Sequence, residues 1–144
     1  MLRGLPLVHS ARMNLSFRVV AIVCACLCFV LALTWVIAPQ LLLFLWGVDY
    51  SGPTRLVAWR GAALFAGLGI MFFMVRHAPP SQARFAMVCG FAFACFALAL
   101  LGIFELVSGH AGVGILSAVL VEVVLGLVLV KVARGQASGD GPAR

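Results

Sequence analysis

Long apolar runs separated by short polar stretches make up most of this chain. Four runs, roughly 19–38, 57–75, 85–107 and 113–130, each come close to the 20 or so apolar residues that a helix needs to cross a bilayer. Pro39 closes the first run, and Arg76, His77 and the pair Pro79-Pro80 close the second. Ser81 precedes the third as an N-cap, and Lys131 closes the fourth. Polar and apolar positions do not alternate within the runs, so the pattern is not that of membrane strands. In lipid a backbone must satisfy its own hydrogen bonds, which makes each run a helix. The predicted fold is therefore all-α, an integral membrane four-helix bundle over residues 17–132. Residues 1–16 are predicted to be a disordered N-terminus, with Met13 an alternative start. Residues 133–144, which contain Gly, Ser and Pro, are predicted to be a flexible tail.

Composition agrees with this pattern. Only 10% of the 144 residues are charged and 65% are apolar, whereas a soluble domain carries about 25% charged residues. Mean hydropathy is +1.19. Such a chain cannot cover a globule with polar groups, and most of its surroundings must be lipid. The net charge of +6 does not indicate nucleic acid, because the basic residues are scattered singly rather than gathered on one face. Their distribution points to orientation instead. Arg3, Arg12, Arg18, Arg76, Arg84, Lys131, Arg134 and Arg144 fall on one side of the predicted bundle, and only Arg55 and Arg60 on the other. Both termini are predicted to be cytoplasmic. The first run is too long for the apolar region of a cleaved signal peptide and is read as a retained helix.

The loop between the first two runs, "QLLLFLWGVDYSGP", begins apolar and ends polar. Gln40 to Trp46 is expected to extend the first helix or to form a short interfacial one. Trp46, Tyr50 and Trp59 suit the interface, where amphipathic rings settle. Small residues recur every four positions at Ala58, Ala62 and Ala66 in the second run and at Ala86, Gly90 and Ala94 in the third. Such stripes let helices approach closely, and they predict that the second and third helices are close neighbours. No compelling internal repeat is visible, though the two helix pairs could form similar hairpins.

Three ionisable residues lie inside the runs: Arg60, Glu105 and Glu122. Glu122 interrupts "GILSAVLVEVVLGLVLVK" about nine residues from either end, so about 13 Å from each surface at 1.5 Å per residue. A charge at that depth costs roughly 2.5–3.5 kcal/mol on insertion scales. It is expected to face the bundle interior, either as a hydrogen-bonding link between helices or as a proton- or ligand-binding group. Arg60 and Glu105 lie in the outer half, and Arg60 is expected either to reach the outer headgroups or to pair with one of the two carboxylates. One arginine cannot compensate both. The expected site is a polar pocket opening outward, with Glu122 as its floor, Arg60 and Glu105 as its wall, and His110 and Tyr50 near its mouth.

Cys24, Cys26, Cys28, Cys89 and Cys95 all sit inside apolar runs, where packing is the expected role, with no neighbouring charge to activate a thiol. The three histidines lie in flanks on both sides and lack metal-ligand spacing. No catalytic residue, metal or cofactor is assigned.

"APQLLLFLWGVDYSGPTRLVAWRGAALFAGLG", with Arg60-Gly61 opening a small-residue helix, and "GILSAVLVEVVLG", with its glutamate in the last helix, carry a resemblance. Over residues 38–130 the chain resembles small four-helix bacterial inner-membrane proteins of uncharacterised families with a DoxX-like layout. Members often carry an arginine near the end of the third helix, where this chain has Glu105. The resemblance implies a multi-pass bundle in a bacterial inner membrane and brings no activity with it. The leading expectation is a non-enzymatic accessory or lipid- or quinone-binding module. The alternative is an oligomeric proton-coupled transporter of small cations or lipophilic compounds. Membrane lipids, a lipophilic small molecule or quinone, and further copies or subunits of a membrane complex are the expected partners.

Overall fold

A computed structural model describes residues 17–137. The expectations for residues 1–16 and 138–144 lie outside the described residues. The described chain is helical throughout apart from its connections: α1 (Phe17–Ile37), α2 (Pro39–Leu45), α3 (Gly52–Val75), α4 (Gln82–Val107), a 3-10 turn (Val113–Ile115) and α5 (Leu116–Ala137). Four of these segments, Phe17–Ile37, Gly52–Val75, Gln82–Val107 and Val113–Gln136, are long and apolar enough to cross a membrane. Many of the largest side chains face outward, among them Leu64, Phe93 and Val107. Lipid, and not water, suits such a surface.

Local chemistry sets the helix ends. Pro39 stops α1 and opens α2, since proline lacks the N–H that would continue α1 yet suits a first helical turn. The short interfacial helix is therefore a separate element. α3 starts at Gly52, ahead of the apolar run itself, because Ser51 caps it by accepting a bond from the Thr54 N–H at 3.4 Å. Ser81 caps α4 in the same way, accepting from the Arg84 N–H at 3.2 Å. At the other end of the chain, residues 133–137 continue α5 as helix, where the sequence reading begins a flexible tail.

The helices pack as two antiparallel pairs, α1 on α3 and α4 on α5, and the pairs meet along α1 and α5. The expected closeness of the second and third spans through their small residues, here α3 against α4, is not the main packing. Ala58, Ala62 and Gly69 of α3 are buried in a helix that packs on α1, while Ala86 and Gly90 of α4 are exposed. The stripe α4 buries instead is Val88, Ala92, Cys95, Ala99 and Gly102. α3 and α4 still touch where the rings of Phe72 and Phe91 meet edge-on at 4.7 Å.

Both pairs are built to the same plan. A Cβ on Gly69 would lie 2.9 Å from the Phe29 ring, and one on Gly126 would lie 2.9 Å from the Phe96 ring. In each pair the missing side chain makes room for an aromatic ring from the opposite helix. Aligning these contacts superposes "ACLCFVLAL" (25–33) on "AFACFALAL" (92–100), and the Ala, Cys, Phe, Leu, Ala and Leu positions are identical. Buried Ala25, Cys28 and Ala32 correspond to buried Ala92, Cys95 and Ala99. Phe72 and Leu129, the two largest fully buried side chains, also correspond. The structure thus discloses an internal repeat, with two hairpins that run in the same direction.

Burial differs between the two ends of the bundle. The main core joins Val20, Ala21, Cys24 and Ala25 to Phe72, Val88, Ala92, Leu129, Val132 and Ala133. It lies at the end that carries both ends of the described chain. The opposite end is tied by backbone: the Gly112 N–H donates to the Trp46 carbonyl at 2.6 Å. Gly47 turns there in the left-handed region, φ +69°, and a Cβ on Gly114 would fall on the Leu45 carbonyl oxygen. Only glycine allows the two connections this approach.

Candidate functional site

The side chains of the expected polar pocket stand on three elements and a loop. Glu122 is half-buried on α5. Gly102 approaches Val119, and Gly126 receives the Phe96 ring. In an antiparallel pair these contacts bracket Glu122 and set it opposite Ala99. It therefore occupies the α4–α5 seam, where Val119, Gly126, Leu129 and Ala133 share its face at steps of three and four. Cys95 lies one helical turn from Ala99 on α4. The small Ala99 leaves room for the carboxyl, and no hydrogen bond from another described side chain reaches it.

Glu105 and His110 come together, with Nδ1 3.2 Å from Oε2. The turn that joins α4 to the 3-10 segment makes this possible. Gly109 adopts φ +76°, and the His110 and Ala111 N–H groups both donate to the Glu105 carbonyl. The His110 side chain is 71% exposed and that of Glu105 45%, so the pair is worth little as a bond. Tyr50 is exposed in the loop before α3.

Arg60 is not brought to either carboxylate. α3 turns Ala58 and Ala62 inward, which leaves Arg60 on the outward side, and the structure gives it no ion pair among the described residues. That placement is the snorkelling arrangement, in which an apolar stem lies along lipid and the charge reaches the headgroups. Of the five expected residues, the geometry joins Glu105 with His110. It leaves Glu122 and Arg60 on separate faces of separate hairpins.

The thiols also gather, within limits. Cys24, Cys28 and Cys95 are buried on α1 and α4, while Cys26 is exposed. Among the described residues no group of three or more His, Cys, Asp or Glu is arranged to hold a metal ion.

A feature that sequence reasoning passed over is an apolar groove of about 420 Å³ between α1 and α5. Val19, Val23 and Leu27 line one wall, and Val121, Val124 and Val128 the other. It lies at the junction of the two hairpins. Within each hairpin small residues bring the helices close, whereas branched side chains on α1 and α5 hold these two apart. The spacing of Val19, Val23 and Leu27 by four is visible in the sequence, but so are many such spacings in an apolar helix. Only the pairing of hairpins distinguishes this one.

No family model, curated protein or solved structure matches the chain. The fold and the groove must carry the functional reading by themselves.

Proposed function

We propose that this multi-pass membrane protein is a non-enzymatic module that holds the apolar chain of a lipophilic ligand in the α1–α5 groove. The observation that carries the reading is the groove itself, walled by aliphatic side chains and placed where the two hairpins meet. Its volume is that of a small-molecule site. An acyl or isoprenoid chain matches such walls, since it asks for no hydrogen bond and gains dispersion contacts along its length. The protein belongs, on this reading, in a bacterial inner membrane with both termini cytoplasmic, among small four-helix proteins of DoxX-like layout. The side bias of the basic residues supports the orientation.

Glu122 lies on the α4–α5 seam and outside the groove lining, so it serves the second hairpin and not the bound chain. The test is to fill the groove. Val124→Phe and Val23→Phe add bulk at positions that are 52% and 46% exposed, where the fold tolerates it. Native mass spectrometry of the full chain from mild detergent should show co-purifying lipid or quinone on the parent protein and its loss from both variants. Unchanged adducts on the filled variants would rule the groove out.

A further inference from the structure

Of the described acids, Asp49 and Glu105 stand at the end of the bundle where Gly112 meets Trp46, and Glu122 stands partway along α5. Val119, Gly126 and Leu129 share its helix face and are buried. Their spacing turns the Glu122 side chain toward α4 and the bundle interior, away from lipid. Glu122 itself keeps part of its surface accessible, so the carboxyl is not sealed in.

Nothing described balances a charge at that point. The ion pair among the described residues joins His110 to Glu105. α5 packs on α4 and the 3-10 turn and meets α1. The titratable groups buried on these elements are thiols, Cys95 on α4 and Cys24 and Cys28 on α1, and none supplies a positive charge. The 3-10 turn has no titratable side chain. On α4, Arg84 and Glu105 lie near the two ends of the helix, and on α5 Lys131 lies about 13 Å along the axis from Glu122. Arg60 faces outward on α3. No described side chain hydrogen-bonds to the carboxyl either, so it does not link two helices. In the first hairpin Phe65 holds the equivalent place, four residues before Gly69 as Glu122 is four before Gly126. The seam packs there without a carboxyl.

An unpaired charge held out of water is among the costliest groups in a fold. The carboxylic acid form removes that charge. We infer that Glu122 is a proton-binding site whose occupancy closes the α4–α5 seam. With the proton bound, the seam packs as its twin does around Phe65. With the proton released to water, the carboxylate stands in the seam without a counter-ion and the second hairpin loses its fit. The step is an acid–base exchange at one carboxylate oxygen, and water supplies and accepts the proton. The inference is independent of what occupies the α1–α5 groove. Folding takes up a proton at Glu122, so the stability it brings is fully present in acid and is lost as pH rises.

Reversible unfolding of the full chain in mild detergent is followed from about pH 5 to about pH 9. The folding equilibrium constant of the parent should fall by up to about tenfold for each pH unit over which Glu122 ionises. Glu122→Gln keeps the shape and cannot exchange the proton, so it should flatten this dependence. Glu105→Gln should leave it in place. Dicyclohexylcarbodiimide in vesicles gives a second reading on the parent protein alone. This apolar reagent adds to a protonated carboxyl without a leaving group. The acid proton passes to one nitrogen, and the acyl carbon ends on the other as an N-acylurea. Peptide mass spectrometry should find the adduct on Glu122, in an amount that declines as pH rises. A parent whose stability does not fall with pH, or a fall that persists in Glu122→Gln, overturns the inference. If Glu122→Gln does not fold, the carbodiimide decides: a pH-dependent adduct on Glu122 supports the site, and no adduct or a pH-independent one overturns it.

Discussion

In the first hairpin Gly69 admits the ring of Phe29, and in the second Gly126 admits the ring of Phe96. Around these contacts Ala25, Cys28 and Ala32 repeat as Ala92, Cys95 and Ala99. The position that corresponds to Glu122 of α5 is Phe65 of α3, and both are half-buried. The first hairpin thus packs with an apolar residue where the second carries a carboxyl. The comparison teaches that this packing does not require Glu122. A carboxyl that costs roughly 2.5–3.5 kcal/mol to insert is placed where a phenylalanine serves its twin. Of the three ionisable residues inside the apolar runs, Arg60 belongs to the first hairpin, and Glu105 and Glu122 to the second.

Substitutions at matched positions test whether the two hairpins are equivalent. The largest effects belong to Phe72→Ala and Leu129→Ala, which open cavities at corresponding, fully buried sites. Each should destabilise by on the order of 2–5 kcal/mol, as read by reversible unfolding in detergent. A full cost at one site and none at the other would break the equivalence of the hairpins. Glu122→Leu comes next. It makes the second seam resemble the first and should favour insertion of the last span by roughly 2.5–3.5 kcal/mol, measured as insertion efficiency in membranes. Reduced insertion or a lost fold would show that the carboxyl is a structural link.

Gly69→Val and Gly126→Val should each cost about 1–3 kcal/mol through collision with the facing phenylalanine ring. A matching Phe29→Ala or Phe96→Ala should recover part of that loss, and a thermal unfolding series would show whether it does. The smallest effects are expected outside the seams. His110→Ala removes an exposed pair and should change stability by about 0.2–1 kcal/mol. Arg60→Ala should fall within about 0.5 kcal/mol, since Arg60 is exposed and has no ion pair among the described residues. A large loss at Arg60 would mean that it reaches one of the carboxylates after all.

The four spans were legible because bilayer thickness imposes a length that sequence displays directly. The cap at Ser81 and the short helix after Pro39 were legible for local reasons, a hydroxyl before an apolar run and a ring without an N–H. Helix pairing was not legible. In lipid the outward and inward faces are both apolar, so no amphipathic stripe shows which way a helix turns. Small residues on α3 therefore suggested α4 as their partner, and α3 buries them in its packing against α1. The repeat escaped notice for the same reason, helped by the insertion of α2 into the first connection only. Depth along the chain placed Glu105 and Arg60 at one level, but depth does not fix direction around a helix. The buried Ala58 and Ala62 fix it, and they turn Arg60 away. Glu105 and His110 were both singled out, yet their pairing depends on the turn at Gly109.

A bound apolar chain at the junction of the hairpins can be detected directly. Phospholipid carrying a photoreactive diazirine in its acyl chain can be activated around the full protein in a bilayer, and the adducts mapped by mass spectrometry. Adducts should concentrate on Val19, Val23 and Leu27 and on Val121, Val124 and Val128. Labelling spread evenly over outward residues such as Leu64 and Phe93, with no excess between α1 and α5, would contradict a bound chain there.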